Sequence, residues 1–351
     1  MSRQNPAISV IMSTYNEEKY IETSLKSILN QTFGDFEIII VDDASTDNTR
    51  KLIENIKDDR IHLICNEENQ GLTKNLNKAL KYVKGRYIAR MDGDDIAFPK
   101  RFEKQMKYME KHPDTMLVSC YTKSFGDSDL VFALPDDSEI LKVRMLVRPV
   151  YAHPGFMMRR ELIEAGYRYD EEYRTAQDYE FASRVAGKHK IGLVPEVLLL
   201  YRVHKKQISA KAGNQQFTNA DKIRKRQLER LGIKLTEKEW EGYQMLVKES
   251  TADSLEDFYR VNDILNKLIE CNKKAKIYDL RIMENTLKKM LYTWVIRNRN
   301  MKYILAFPKV CRYQIKDMLL FVGEIIRTIK EKIWFKIFMD KINISMMMGE
   351  K

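Results

Sequence analysis

Apolar positions along the first two hundred residues fall into two alternating rhythms. "AISVIMSTY" (7–15) and "EIIIVDD" (37–43) are short continuous runs rich in β-branched residues. Runs of that kind suit strands covered on both faces, as in a parallel sheet. Between them Ile21, Leu25, Ile28 and Leu29 recur at helical spacing, which makes a β-α-β unit. The rhythm then repeats. Ser45 or Asp47 can cap a helix carrying Leu52, Ile53 and Ile56, and "IHLIC" (61–65) supplies the next strand. After a turn at "NEENQG", a helix carries Leu72, Leu76, Ala79, Leu80 and Val83, closed by Gly85. "RYIARM" reads as a fourth strand, and Pro99 fits the first turn of a helix with Phe102, Met106 and Met109 inward. Such alternation predicts an α/β domain around a mainly parallel sheet.

Beyond about residue 210 the pattern changes. No proline occurs between Pro195 and Pro308, glycines are few, and Lys, Glu, Leu and Met abound. A mostly helical region over 213–351 is expected to follow an α/β domain over 1–212. The tail "EIIRTIKEKIWFKIFMDKINISMMM" places Ile333, Trp334, Ile337 and Phe338 on one helical face, with Lys330, Lys332, Lys336 and Lys341 around it. A length of 351 residues agrees with one large domain and a smaller one.

Charge sharpens that division. The net charge is +11, but residues 205–351 hold 31 Lys+Arg against 18 Asp+Glu, while 1–204 hold 30 against 32. The basic region can lie on an anionic membrane surface or pack its apolar face on the catalytic domain or a second copy. Nucleic acid is not an expected partner, since no recognised module or aromatic platform is present. Cys65, Cys120, Cys271 and Cys311 show no paired spacing, which argues against a zinc site or disulfide framework and for a reducing compartment. The N-terminus reads as lacking a signal peptide, and no run approaches the roughly 20 apolar residues that span a bilayer. A cytoplasmic protein, or one peripheral at the inner face of the cell membrane, is the expectation.

Ligands of parallel sheets bind at the carboxyl ends of strands. Three polar clusters are expected there: "STYNEE", "DDASTDNT" and "DGDD". Asp92, Asp94 and Asp95 repel one another unless a cation joins them. Carboxylates at i and i+2 on a tight turn can share one hard cation, and Mg²⁺ or Mn²⁺ completes its shell with water or substrate phosphate. Gly93 would allow the turn a conformation most residues resist. A polar loop in which Asp94 or Asp95 merely caps a helix is the plainer alternative, and the three converging clusters weigh against it.

"ISVIMSTYNEEKYIETSLKSILNQTFGDFEIIIVDDASTDNT" followed by "YIARMDGDD" resembles the family 2 glycosyltransferases of GT-A fold, over roughly residues 6–210. The resemblance implies a nucleotide-diphospho-sugar transferase with a Rossmann-like, mainly parallel sheet and a C-terminal helical region. It implies that Thr14, Tyr15, Asn16 and Glu17 border the nucleotide, and that Asp42 and Asp43 supply the carboxylate for base or ribose. It places Asp92 toward ribose and sugar, Asp94 on the metal, and Asp95 in the loop or beside the donor sugar. "NQGLTKNLNKAL" carries Lys74 and Asn75 where the family often has Arg-Asn. Lysine can neutralise a phosphate as a point charge but cannot form the bidentate fork.

An inverting transfer needs a general base for the acceptor hydroxyl. In "TAQDYEFASRVA" the resemblance assigns that role to Asp178, where the family usually reads Glu-Asp and this chain reads Gln177-Asp178. "LYRVHKKQIS" resembles a closing segment whose histidine, His204, meets metal or diphosphate. His153 and Arg159 in "AHPGFMMRREL" stand near the acceptor region with packing an equal alternative. The implied activity is inverting transfer from a UDP-hexose or UDP-N-acetylhexosamine to a glycan or lipid-linked acceptor, with Mn²⁺ or Mg²⁺. The rivals are a non-catalytic sugar-nucleotide-binding or membrane scaffold protein, and a nucleotidyltransferase releasing pyrophosphate.

Overall fold

The structure, a computed structural model, describes residues 5–204, 207–250 and 254–297. Two compact units divide it, residues 1–227 and 228–351. The first opens with β1 (Ile8–Thr14), α1 (Ile21–Leu29), β2 (Phe36–Asp42), α2 (Thr49–Asn55), β3 (Ile61–Cys65), α3 (Leu72–Ala79) and β4 (Tyr87–Asp92). It continues through β5 (Ile96–Ala97), α4 (Arg101–Lys111), β6 (Thr115–Gly126), β7 (Val131–Phe132) and α5 (Ser138–Arg144). A 3₁₀ turn at His153–Gly155 leads to β8 (Met157–Arg159), α6 (Glu161–Glu164), α7 (Gln177–Ala186) and β9 (Lys190–Val203).

One sheet holds these strands in the order β3-β2-β1-β4-β8-β6-β9-β5, with β7 on β6. The first four run parallel, in a register that sets Thr14 beside Asp42, Ser13 beside Asp92 and Asp42 beside Cys65. Their carboxyl ends are therefore level. Beyond β4 the sheet is mixed: β8 is antiparallel to both β4 and β6, β9 parallel to β6, and β5 antiparallel to β9. The β6–β9 pairing bulges where Cys120 faces Val194 but Tyr121 faces Val197. Pro195, which has no N–H to give a ladder, lies in that bulge.

The apolar runs are covered on both faces, and every residue of β2 is buried. On one face Ile11, Ile39, Val41 and Ile88 pack with Leu76, Leu80 and Phe181. On the other Val10, Met12, Ile38, Ile40 and Met91 pack with Leu25, Ile28, Ile53 and Phe102. Each such side chain contributes about 1.5–3 kcal/mol on burial.

Three local expectations are corrected. The Asp47 carboxylate accepts from the Thr49 N–H at 2.9 Å, but the capping position of α2 is Asn48, and the Ser45 hydroxyl turns to Asp42 instead. The helix α3 ends at Ala79 without Gly85. Gly85 is required by a close approach, since a Cβ there would lie 2.5 Å from the Ser9 amide nitrogen. Pro99 precedes α4, and its carbonyl accepts from the Thr32 N–H at 2.8 Å.

The helix α8 (Ile208–Arg230) is interrupted at Gly213, whose φ of 43° is not helical. In the second unit α9 (Glu237–Lys248) and α10 (Leu255–Ala275) each begin with a capping box, Thr236 with Glu239 and Ser254 with Asp257. Leu246, Phe258, Val261, Leu265 and Leu268 are buried, as are Met283, Leu287 and Trp294 of α11 (Leu280–Arg297), and the rings of Phe258 and Trp294 stack. Among the described residues no helix is long and apolar enough to cross a membrane. The amphipathic stretch with Ile333, Trp334, Ile337 and Phe338 lies outside the described residues, as does Cys311.

Candidate active site

The level strand ends gather most of the residues singled out from sequence. After β1 the chain turns at Asn16, which adopts a left-handed φ of 55°; after β2 it turns at Ala44, with φ 60°. A left-handed conformation costs a non-glycine residue roughly 1–2 kcal/mol, so each turn is held by its surroundings. The Asn16 Oδ1 accepts from the Thr46 N–H at 2.8 Å, and the Asn16 N–H donates to Ser45 Oγ at 3.0 Å. The two loops thus brace each other. Thr14 is buried and Tyr15 is exposed.

Asp42 and Asp43 are both buried and do different work. Asp42 accepts from the Ser45 hydroxyl at 2.6 Å and its N–H at 3.1 Å, which closes the turn. Asp43 accepts from Asn66 Nδ2 (2.8 Å), the Gln70 N–H (2.8 Å) and the Gly71 N–H (2.9 Å), so it orders the loop leading into α3. Asn75 extends this network, donating to Ser13 Oγ at 3.1 Å while its Oδ1 accepts from Asn66 Nδ2 at 2.7 Å. Lys74 points outward and is exposed. Lys78, not singled out from sequence, donates to Asn66 Oδ1 at 2.7 Å and brings a cation to the same edge.

Asp92, Asp94 and Asp95 each place a carboxylate oxygen within 4.8 Å of the others. The expectation that Gly93 takes a conformation most residues resist is replaced by a steric one: its φ lies outside the left-handed region, and a Cβ there would sit 1.7 Å from Glu17 Oε2. Asp94 Oδ2 lies 3.0 Å from His204 Nε2, so His204 does reach the cluster. Asp95 is fully buried; its Oδ1 accepts from the Arg202 N–H at 2.8 Å, and its Oδ2 is a buried oxygen with no hydrogen-bond partner. Such a set of hard oxygen donors, one of them orphaned, fits Mg²⁺ or Mn²⁺.

Two arginines missed in the sequence complete the cluster. Arg90, two residues before Asp92 in the fourth strand, is 1% exposed and its Nη1 meets Asp92 Oδ2. Burial opposes the charge on Arg90, but the Asp92 carboxylate outweighs it and the proton is held more tightly than usual. Arg202 donates from Nε to the Asp94 carbonyl at 2.7 Å, while its guanidinium lies over the rings of Tyr20 (4.4 Å) and Phe125 (4.3 Å). The signal for Arg90 was a charge inside an otherwise apolar strand. Arg202 carried no signal, because it acts through a strand that arrives from more than 100 residues away.

Desolvation, then the neighbouring carboxylates, raise the proton affinities of the cluster: Asp94 above the usual carboxylate range, Asp95 and Glu17 well above it. For Glu17 the folded chain holds a proton that the unfolded chain has released, over the window from the ordinary value up to the raised one. Stability therefore falls as pH rises through that window. Glu17→Gln, which keeps an acceptor for the Thr14 hydroxyl (2.9 Å), is expected to raise the thermal midpoint of the divalent-free chain at neutral pH by several degrees. The gain should shrink toward pH 4. A gain independent of pH in thermal unfolding would refute this account.

Asp178 stands in the first turn of α7, after Ala176 in a left-handed turn of φ 59°. Burial raises its proton affinity, against the lowering pull of backbone N–H groups at Tyr179 and Asp178 and of Arg90. It feels the Asp92 charge as well, so acid cluster and candidate base share one electrostatic environment. Gln177 is buried. His153 is buried with Nε2 2.9 Å from the Tyr169 hydroxyl, and desolvation pushes its pKa well down. Arg159 donates to the carbonyls of Thr115 (2.9 Å) and Met109 (2.7 Å), a packing role.

A family model described as glycosyl transferase family 2 matches residues 9–166. An uncharacterized glycosyltransferase of Methanocaldococcus jannaschii is 37% identical over 207 residues, which cover 56% of this chain and 71% of the relative. The Escherichia coli protein WfgD, a UDP-Glc:alpha-D-GlcNAc-diphosphoundecaprenol beta-1,3-glucosyltransferase, is 40% identical over 114 residues, 32% of this chain and 45% of that one. Among solved structures, S. aureus TarS 1-349 in complex with UDP-GlcNAc aligns with a TM-score of 0.56 at 20% identity, over 83% of this chain and 88% of that chain.

Proposed function

This chain belongs to glycosyl transferase family 2, a glycosyltransferase of GT-A fold using a nucleotide-sugar donor, and from that premise we propose an inverting, metal-assisted transfer. The donor is a UDP-hexose or UDP-N-acetylhexosamine, and the acceptor is a hydroxyl of a glycan or lipid-linked saccharide. The observation that carries this reading is the level mouth of β1, β2 and β4, where Asp92, Asp94 and Asp95 cluster while Asp178 enters the same field. The UDP-glucose specificity and diphosphoundecaprenol-linked acceptor in the name of WfgD support the donor and acceptor classes.

In this reading Thr14 to Glu17 and the Asp42–Asp43 turn border the nucleotide, with Asp43 ordering the loop before α3, the helix on which Lys74 and Asn75 stand. Asp94 and His204 would hold Mn²⁺ or Mg²⁺, with Asp92 facing ribose and sugar and Asp95 bracing the turn. When bound, the cation supplies positive charge that stabilises the departing diphosphate. Asp178 takes the proton of the acceptor hydroxyl as its oxygen attacks the anomeric carbon. Attack opposite the leaving group inverts that carbon, giving a β-linkage from an α-linked donor. Lys and Arg of the C-terminal region would meet an anionic membrane carrying the acceptor.

A thermal-shift screen with Mn²⁺ and UDP-glucose, UDP-galactose and their N-acetyl forms tests the donor. One of the four is expected to raise the midpoint by several degrees, by mass action on the folded state. No shift with any of them, alongside a shift with a GDP-sugar, would overturn the uridine assignment. Release of pyrophosphate instead of UDP during turnover would make the protein a nucleotidyltransferase.

A further inference from the structure

Arg90 occupies a core position. It pairs with Ile11 across β1 and β4, and Ile88, Arg90 and Asp92 alternate onto one face of β4, where Ile11 and Ile88 belong to the apolar core. A guanidinium is rarely buried there unless something requires its charge. Arg101 gives the contrast. It too is fully buried, but its Nη2 donates to the carbonyl of Arg90 at 2.8 Å and its Nε to Gln105 Oε1 at 3.0 Å, so it ties backbone and side chain together as a structural group. Arg90 is placed differently: its Nη1 meets a site carboxylate as an ion pair without hydrogen-bond geometry, and its Nε has no hydrogen-bond partner among the described residues. Its burial is thus not explained by saturated hydrogen bonding. Around it stand Glu17, Asp94, Asp95 and Asp178, all within electrostatic reach.

We propose that Arg90 is the positioning residue of the acidic cluster, a buried counter-charge that fixes the Asp92 carboxylate at the mouth of β4 and lets the surrounding carboxylates pack there. Arg90 acts through Asp92 and touches no substrate. The kinetic consequence rests on the donor role given to Asp92 above; the structural link does not.

The test is a stability cycle on the full chain in chelator, with Arg90→Met, Asp92→Asn and the two combined. Arg90→Met is expected to lower the midpoint by about 10 °C, because it leaves the partly buried Asp92 carboxylate without its counter-charge beside Asp94 and Asp95. The double variant should recover roughly half of that loss, since neither charge remains. Purely additive losses would overturn the proposal. Arg90→Lys, which keeps the charge, guards against a Met variant that does not fold, and its midpoint should lie between wild type and Arg90→Met. Kinetics then separate positioning from packing. Below its unfolding transition Arg90→Met should raise the donor KM roughly tenfold with the acceptor KM unchanged, and Arg90→Lys should restore most of it. If Asp92→Asn itself raises the donor KM, a folded Arg90→Met with wild-type donor KM and kcat would also overturn it; if Asp92→Asn leaves the donor KM unchanged, it is the donor role of Asp92 that fails. The cycle is read without substrate, so it decides the Arg90–Asp92 link even if the donor assignment fails.

Discussion

Asp94→Ala is expected to lower sugar transfer by about a thousandfold, the several kcal/mol of leaving-group stabilisation a metal ion supplies. Its two neighbours are each engaged through one oxygen, Asp92 Oδ2 by the buried Arg90 and Asp95 Oδ1 by the Arg202 N–H, while Asp95 Oδ2 has no hydrogen-bond partner. Asp94 keeps a side-chain contact with His204, and its carbonyl is fixed by Arg202, so its carboxylate is aimed while its backbone is held. Removing that carboxylate also removes a desolvated charge from a crowded acid cluster, which raises its proton affinity in the intact chain. Activity and stability should therefore move in opposite directions. In chelator the variant should melt no lower than wild type, while Mn²⁺ titration by calorimetry should show weakened binding. Turnover within threefold of wild type at saturating Mn²⁺ would remove Asp94 from the metal's ligands.

Asp94 was legible in the sequence because strand-end clusters converge wherever a parallel sheet is well marked, and β1 to β4 are marked by runs buried on both faces. The second half of the sheet was not legible. The strand β8 is three residues long, and β6 and β9 mix polar with apolar positions, so local periodicity gives no hint that β8 reverses between β4 and β6. The same limit hid the latch over the acid turn. Arg202 arrives from β9, and only the fold reveals that its N–H meets Asp95. Sequence also treated Asp42 and Asp43 alike, whereas one closes its own turn and the other orders the loop before α3. The left-handed turns at Ala44 and Ala176 carry no signature, since alanine gives no sign of positive φ.

Asp178→Asn should separate chemistry from binding. The side chain sits in the first turn of α7, where backbone N–H groups hold its carboxylate, and asparagine keeps one oxygen to accept from them. Shape and donor site are thus preserved while the proton acceptor is lost. A general base contributes about 10²–10⁴-fold, so kcat should fall by that factor with donor affinity within about twofold of wild type. The pH profile gives an independent check. A general base at Asp178 would have to be ionised, and burial raises its pKa above the usual carboxylate range. The acidic limb of kcat should therefore lie above that range in wild type, with activity rising as Asp178 loses its proton. Residual activity in Asp178→Asn should lack that limb, because the titrating group is gone. Unchanged kcat in the variant would shift the base to another group, and equal losses in kcat and donor affinity would make Asp178 a structural cap of α7. Ala176, left-handed at φ 59°, stands directly before α7, and Asp178 in the first turn of that helix lies within the field of Asp92 and Arg90, about eighty positions downstream of the aspartate cluster.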